Sequence, residues 1–152
     1  MESIESIQND IPREVDWFKI GDDLDSACIC ISAKRRSGKT FLCREMLYYM
    51  CQKMKPDLVI LFSETADFNE DFDYIPEYFK YPKYDEEKLM KYIHQQEENM
   101  KLYRQKKKKN KNYSKEPPHI LVVMDDVAHD KRVFFSHAIG QLAILGRHIK
   151  MS

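Results

Sequence analysis

The stretch ISAKRRSGKT, residues 31–40, decides how the chain is read. It closes on Gly38-Lys39-Thr40 and fits the phosphate-loop pattern G-x-x-x-x-G-K-[ST] except at its first position, where Ala33 stands in place of glycine. Each residue type in the pattern has a physical task. Gly38 lets the main chain bend so that successive N–H groups point at one anion. A helix opening at Lys39 and Thr40 adds its N-terminal dipole. Lys39 reaches the β- and γ-phosphates of a nucleotide, and Thr40 offers its hydroxyl to Mg²⁺. Ala33 adds a methyl group that a negative φ accommodates. The loop as a whole, Ala33, Lys34, Arg35, Arg36, Ser37, Gly38, Lys39 and Thr40, is therefore a candidate nucleotide-binding segment.

The flanks agree with that placement. Residues 26–32, SACICIS, alternate small, cysteine and β-branched residues and predict a buried strand. After the loop, Leu42, Cys43, Met46, Leu47, Met50 and Met54 recur at helical spacing over 40–54, and Pro56 ends that helix. A second strand is predicted over 57–63, DLVILFS, whose apolar middle suits a strand covered on both faces. Residues 64–85 hold two prolines and many aromatics with no period, and predict a long ordered loop. Helices follow over 86–105, with Leu89, Tyr92, Ile93, Gln96, Met100 and Tyr103 near one face, and over 131–146, with Phe134, Phe135, Ala138, Ile139 and Leu142 inward. Between them lies a third buried strand, HILVVMDD, residues 119–126. Strand and helix alternating three times predict an α/β three-layer fold of the P-loop NTPase type with a mostly parallel sheet. Residues 1–25 are a polar lead-in with one amphipathic patch, VDWFKI, and residues 26–152 form the domain.

Composition narrows the classes. The chain has 152 residues, enough for one domain with a real core, and 25 basic residues balance 25 acidic ones, so no overall field announces a partner. Cys28, Cys30, Cys43 and Cys51 sit in apolar stretches without C-x-x-C spacing, which reads as small buried hydrophobes in a reducing compartment. The acidic N-terminus MESIESIQND has no apolar core, so no signal peptide is expected. No apolar run approaches the roughly 20 residues of a membrane span, and the protein is expected to be soluble and intracellular.

A buried strand ending in two carboxylates is the second half of a nucleotide site. Asp125 would hold Mg²⁺ through water, and Asp126 would polarise an attacking water. Asp126 is also a good cap for the following helix, a role compatible with catalysis. Glu64, just after the second strand, is near enough in topology to join the site.

Four features in order now carry a family resemblance. They are AKRRSGKTFL; YIPEYFKYPKYDEEKL ahead of a long helix containing Gln95 and Gln96; LVVMDD; and ILGRHIKMS. From about Ala27 to its end the chain resembles the DNA-packaging ATPases of nucleocytoplasmic large DNA viruses and their virophage relatives, in the HerA–FtsK superfamily of P-loop motors. The resemblance implies a hexameric or pentameric ring that hydrolyses ATP with Mg²⁺ and drives double-stranded DNA into a capsid. It implies capsid or portal-vertex partners and a place in the host cytoplasm, at the virus factory, and in the virion. Lys39, Thr40, Asp125 and Asp126 take the Walker roles, and Arg147 matches a conserved arginine suited to stabilising charge on a transferring phosphate, in its own subunit or across an interface. A helix C-terminal cation compensating the dipole is the alternative for Arg147. Family members continue past GRH with a strand between the Walker A and Walker B strands that ends in a polar sensor. Residues HIKMS only begin it, so the sheet is expected to be incomplete, its last strands missing.

Basic segments complete the picture. Residues 106–118, KKKKNKNYSKEPP, predict an exposed flexible linker whose Lys106, Lys107, Lys108, Lys109 and Lys111 would each neutralise a DNA phosphate. A solvated loop or a localisation signal are the alternatives. Lys34, Arg35 and Arg36 add positive potential near nucleotide or face a neighbouring subunit. The competing functions are a P-loop nucleotide or nucleoside kinase, for which the lysine linker makes a poor lid, and a truncated nucleotide-binding domain without turnover.

Overall fold

Two apolar runs that lack an internal polar residue become the two paired strands at the centre of the molecule. β1 (Leu58–Ser63) and β3 (Ile120–Asp125) run parallel in register from Leu58 opposite Ile120 to Ser63 opposite Asp125. A two-residue strand, β2 (Lys80–Tyr81), joins the other side of β1, giving the parallel order β2-β1-β3. The computed structural model describes residues 27–152 except Ala33, Arg35, Asn69 and Ala128; the 1–25 lead-in lies outside the described residues.

Three longer helices sandwich this sheet, and the two-residue period of the strands sorts which side chains meet which helix. From α1 (Lys39–Met54), Leu47 and Met50 pack on Leu61, Leu121 and Val123, with Phe72 and Ile75 closing the same cluster. The opposite face presents Ile60, Phe62 and Ile120 to Leu89 and Ile93 of α2 (Glu86–Lys109) and to Ala138 and Ile149 of α4 (His137–Ile149). Ile60, Leu61 and Phe62 are all fully buried, which is why β1 shows no polar alternation. The result is a mixed α/β fold with helices on both faces of a small parallel sheet.

Helix ends set the polarity. α1 begins at Gly38 and stops at Lys55, which caps it at φ 46° ahead of Pro56. Asp85 caps α2 by accepting from the Lys88 N–H at 3.0 Å, and Ser136 caps α4 by accepting from the Ile139 N–H at 3.2 Å. Glu86 accepts from the Ala138 N–H at 3.2 Å, tying the starts of α2 and α4 together. Since α1 leads directly into β1, and α2 and α4 lead back to the Ile120 end of β3, all three N-termini gather at the C-terminal edge of the sheet. Their C-termini gather at the other edge. There the fully buried Gln96 donates to the carbonyls of Pro118 (2.6 Å) and Ile149 (3.0 Å), fixing α2 against both chain ends that converge on β3.

Beyond α4 the chain turns sharply and lays Met151 beside Ile120 in parallel; the Ser152 N–H donates to the Ile120 carbonyl at 3.0 Å, and the Val122 N–H to the Ser152 carbonyl at 2.7 Å. Gly146 permits this turn, because a Cβ there would stand 2.5 Å from the Met151 carbonyl oxygen. HIKMS is expected to begin a strand between the Walker A and Walker B strands; its end does pair with β3, while residues 27–32 do not pair on its other side.

Several expectations change. Residues 27–32 are not part of the sheet, and Cys28, Ile29 and Cys30 are exposed rather than buried. An apolar run needs a ladder neighbour to become a strand, and among the described residues 27–32 find none. The predicted loop 64–85 contains three 3₁₀ turns (Ala66–Phe68, Glu70–Phe72, Glu77–Phe79) and the edge strand β2. α2 runs four residues past its predicted end, so Lys106, Lys107, Lys108 and Lys109 form its last turn instead of a flexible linker. Four cations at a helix C-terminus are favoured by the dipole, which composition alone did not weigh. The helix predicted over 131–146 is two: α3 (Lys131–Phe134), then α4 restarted by Ser136. That break leaves Phe134 and Phe135 69% and 88% exposed, against the inward placement expected of them.

Candidate functional site

The loop before α1 has a concave backbone. Arg36 (φ 59°) and Gly38 (φ 83°) are both left-handed, so the chain curls just before the first helical hydrogen bond, from the Leu42 N–H to the Gly38 carbonyl at 2.9 Å. Such alternation turns consecutive N–H groups inward, the arrangement that binds anions. Space around Gly38 is open, yet its φ disfavours any side chain there. The Lys39 ammonium folds back across the loop and donates to the Lys34 carbonyl at 3.0 Å. Lys34, Arg36 and Ser37 are exposed, whereas Lys39 and Thr40 are half-buried in the opening turn of α1; Ala33 and Arg35 lie outside the described residues.

The second half of the site follows from strand alternation. Asp125 shares its side of β3 with Leu121 and Val123, which pack under α1, so its carboxylate is directed to the helix that the loop opens. An electrostatic consequence agrees. Burial pushes the Cys43 thiol, one turn into α1, up to about 11, and the negative charge of Asp125 adds to that rise. Asp125 is 7% exposed, while Asp126 turns outward in the left-handed region at φ 52° and is exposed. Aspartate tolerates that region better than most residues, which suits the second carboxylate to a sharp strand exit.

Two further side chains complete the tip, and one had no signal in the sequence. His129 places Nδ1 3.0 Å from the Asp126 carbonyl oxygen and Nε2 3.2 Å from a Glu64 carboxylate oxygen. Glu64 thus joins the tip as its position after β1 suggested, through a histidine that only the fold brings to it. Beside it, Ser63 lies opposite Asp125 in register and its Oγ accepts from the Thr65 N–H at 3.2 Å.

Thr40, Lys39, Asp125 and Asp126 therefore come from elements that meet at the C-terminal edge of the sheet, where ligands of open parallel sheets bind. A hydroxyl and a carboxylate suit Mg²⁺, which takes one or two protein oxygens and completes its shell with phosphate and water. Arg147 is elsewhere. It sits in the last turn of α4, about 16 Å along the helix from Ser136, at the opposite edge. Lys106, Lys107, Lys108, Lys109 and Lys111 are at that opposite edge too.

Comparison with known proteins gives one kind of relative. The chain is similar to an uncharacterized protein, 075L, of Invertebrate iridescent virus 6, with 30% identity over 141 residues that make up 92% of this chain and 48% of the relative. It spans about half the length of the curated relative it matches. No family model matches the chain, and no solved structure matches it. Among the described residues, no helix is long and apolar enough to cross a membrane.

Proposed function

We propose that the chain is the nucleotide-binding part of a P-loop ATPase, of the kind that packages viral DNA. The observation that carries this is the placement of Asp125 on the same face of β3 as Leu121 and Val123, the face that α1 covers. A phosphate loop alone is a common turn; a buried acid on the sheet face covered by the helix it opens supports reading the two together as a nucleotide site.

In this reading the inward N–H groups of residues 36–40, the α1 dipole and the Lys39 ammonium bind and orient the triphosphate of ATP. Lys39 exchanges its Lys34 carbonyl for phosphate oxygen. Asp126, exposed at the tip, orients the attacking water, and Glu64 with His129 holds the backbone of that turn in place. Thr40 and Asp125 would hold Mg²⁺, whose charge offsets that developing on the phosphate oxygens. The DNA substrate, a ring of identical subunits, docking on capsid proteins and a site in the host cytoplasm come to this chain from the family it resembles. Similarity to a virus protein supports that setting.

Phosphate release from Mg·ATP is the test. Asp126→Asn should keep nucleotide binding and lower release about 10²- to 10⁴-fold, the usual contribution of a positioned base. Equal release from the variant removes Asp126 from the chemistry, and transfer to a nucleoside or nucleotide acceptor would make the chain a kinase. One observation favours a second reading, nucleotide binding without turnover: residues 27–32, which lead into the loop, have no ladder partner to brace them. Binding of a fluorescent ATP analogue with no phosphate release would establish it.

A further inference from the structure

The charge balance of the chain conceals a strong separation. Residues 100–118 and 147–152 together carry ten Lys and Arg against the single acid Glu116, a net +9, so the rest of this neutral chain carries −9. These two segments are far apart in sequence, but the fold joins them. The Arg104 guanidinium donates to the His148 carbonyl at 3.3 Å, and Lys150 pairs with Glu116. We infer that the N-terminal edge of the sheet is one surface for a nucleic-acid backbone, on which the basic end of α2, the segment after it and the Arg147–His148 end of α4 act together. This deepens the motor reading, on which the choice of DNA among polyanions rests.

Three observations carry it. First, α2 is about 36 Å long where the strands it covers are about 20 Å, and its buried stripe of Leu89, Ile93 and Gln96 ends well before its last turn. The lysine turn overhangs the sheet and presents charge to solvent. Second, the segment after α2 is held by rings and ions. Tyr113 lies 6.0 Å from Tyr103, Lys106 stands over Tyr113, and Tyr103 hydrogen-bonds both Lys107 (2.9 Å) and Glu116 (3.2 Å). A fixed set of cations loses less freedom on meeting phosphates than a loose one. Third, Arg147 makes no capping hydrogen bond to the end of α4 among the described residues. Arg104 already caps a terminal carbonyl of α4, and the Lys150 N–H donates to Gly146; the Arg147 Nε meets only the His148 ring at 3.3 Å. Among the described residues, no carboxylate pairs with Arg147, Lys108, Lys109 or Lys111. A membrane surface is the weaker partner, because Leu102 is a lone exposed apolar residue in the basic end of α2.

The experiment is fluorescence anisotropy of a labelled 20-base-pair duplex titrated with the whole chain, without nucleotide or Mg²⁺, at salt concentrations from 50 to 200 mM. If about six phosphates are engaged, affinity falls roughly 10³-fold across that range, a log–log slope near −5. The triple variant Lys108→Glu, Lys111→Glu, Arg147→Gln should flatten the slope by about three, one for each cation. The counterpart Lys108→Arg, Lys111→Arg should keep the wild-type slope, and equal helical circular dichroism in all three proteins excludes misfolding as the cause. A wild-type slope near zero, a triple variant with the wild-type slope, or tighter binding to phosphatidylserine vesicles than to duplex at the same salt would overturn the surface. Because nucleotide is absent, a failed ATP site with an intact slope condemns only the motor reading, and the reverse condemns only this surface.

Discussion

The two edges of the sheet use the same helices in opposite ways. At the C-terminal edge three helix N-termini converge, and the attraction for an anion comes from backbone N–H groups and one half-buried ammonium, Lys39. At the N-terminal edge the helices end, their carbonyls face outward, and the positive field comes from long exposed side chains. One edge is shaped to grip a compact, highly charged group; the other spreads charge over a surface. A neutral total charge therefore says nothing about partners when the fold gathers a net +9 from two distant segments at one edge.

Breaking what the two edges share should have the largest effect. Phe62 is fully buried and stacks on Tyr81 with ring centroids 5.2 Å apart. Phe62→Ala is predicted to cost about 3–5 kcal/mol, lowering the melting temperature by roughly 10 °C and weakening both edges together. Loss of only one edge would show that the two are not built on one core. Gln96→Leu separates them. It leaves the Pro118 and Ile149 carbonyls without their buried donor at a cost of about 1–3 kcal/mol, and hydrogen exchange at Ile120 and Ser152 should quicken while the Leu42 amide holds its protection. Uniform quickening would contradict that separation. Gly38→Ala acts on the other edge alone, straining a left-handed residue by about 1–2 kcal/mol, and should abolish nucleotide binding with no change in duplex affinity.

Much of this architecture was legible because it rests on local rules. Pro56 and the apolar run of β1 mark their boundaries by chemistry that acts within a few residues. Asp125 and Lys39 were legible as types at a spacing, without any knowledge of where they meet. What the sequence hid depends on long-range partners. Residues 27–32 look like a strand by pattern, but only a neighbouring ladder makes one, and among the described residues they pair with none. Phe134 and Phe135 kept helical spacing with α4 until Ser136 restarted the helix and turned them outward. His129 carried no signal at all, since its partner Glu64 lies 65 residues away.

The smallest effect is the most local. Cys43 has its thiol raised from 9.0 to about 11, so the folded chain keeps that proton where the unfolded chain has lost it. The associated stability is complete below pH 9 and is lost as pH rises toward 11. In a variant with Cys28, Cys30 and Cys51 changed to Ser, alkylation of Cys43 should show a midpoint well above pH 9. Asp125→Asn should lower that midpoint. A midpoint indifferent to Asp125 would separate the β3 tip from α1.

In the proposed function, the loop ending in Gly38-Lys39-Thr40 and the tip at Asp125 serve one nucleotide. Binding of a fluorescent ATP analogue with and without Mg²⁺ tests it most directly, in the wild type and in Lys39→Ala and Asp125→Asn. Lys39→Ala is expected to lose binding in both conditions, and Asp125→Asn only the part that Mg²⁺ adds. Mg²⁺ strengthening that survives in full without the Asp125 carboxylate would contradict it.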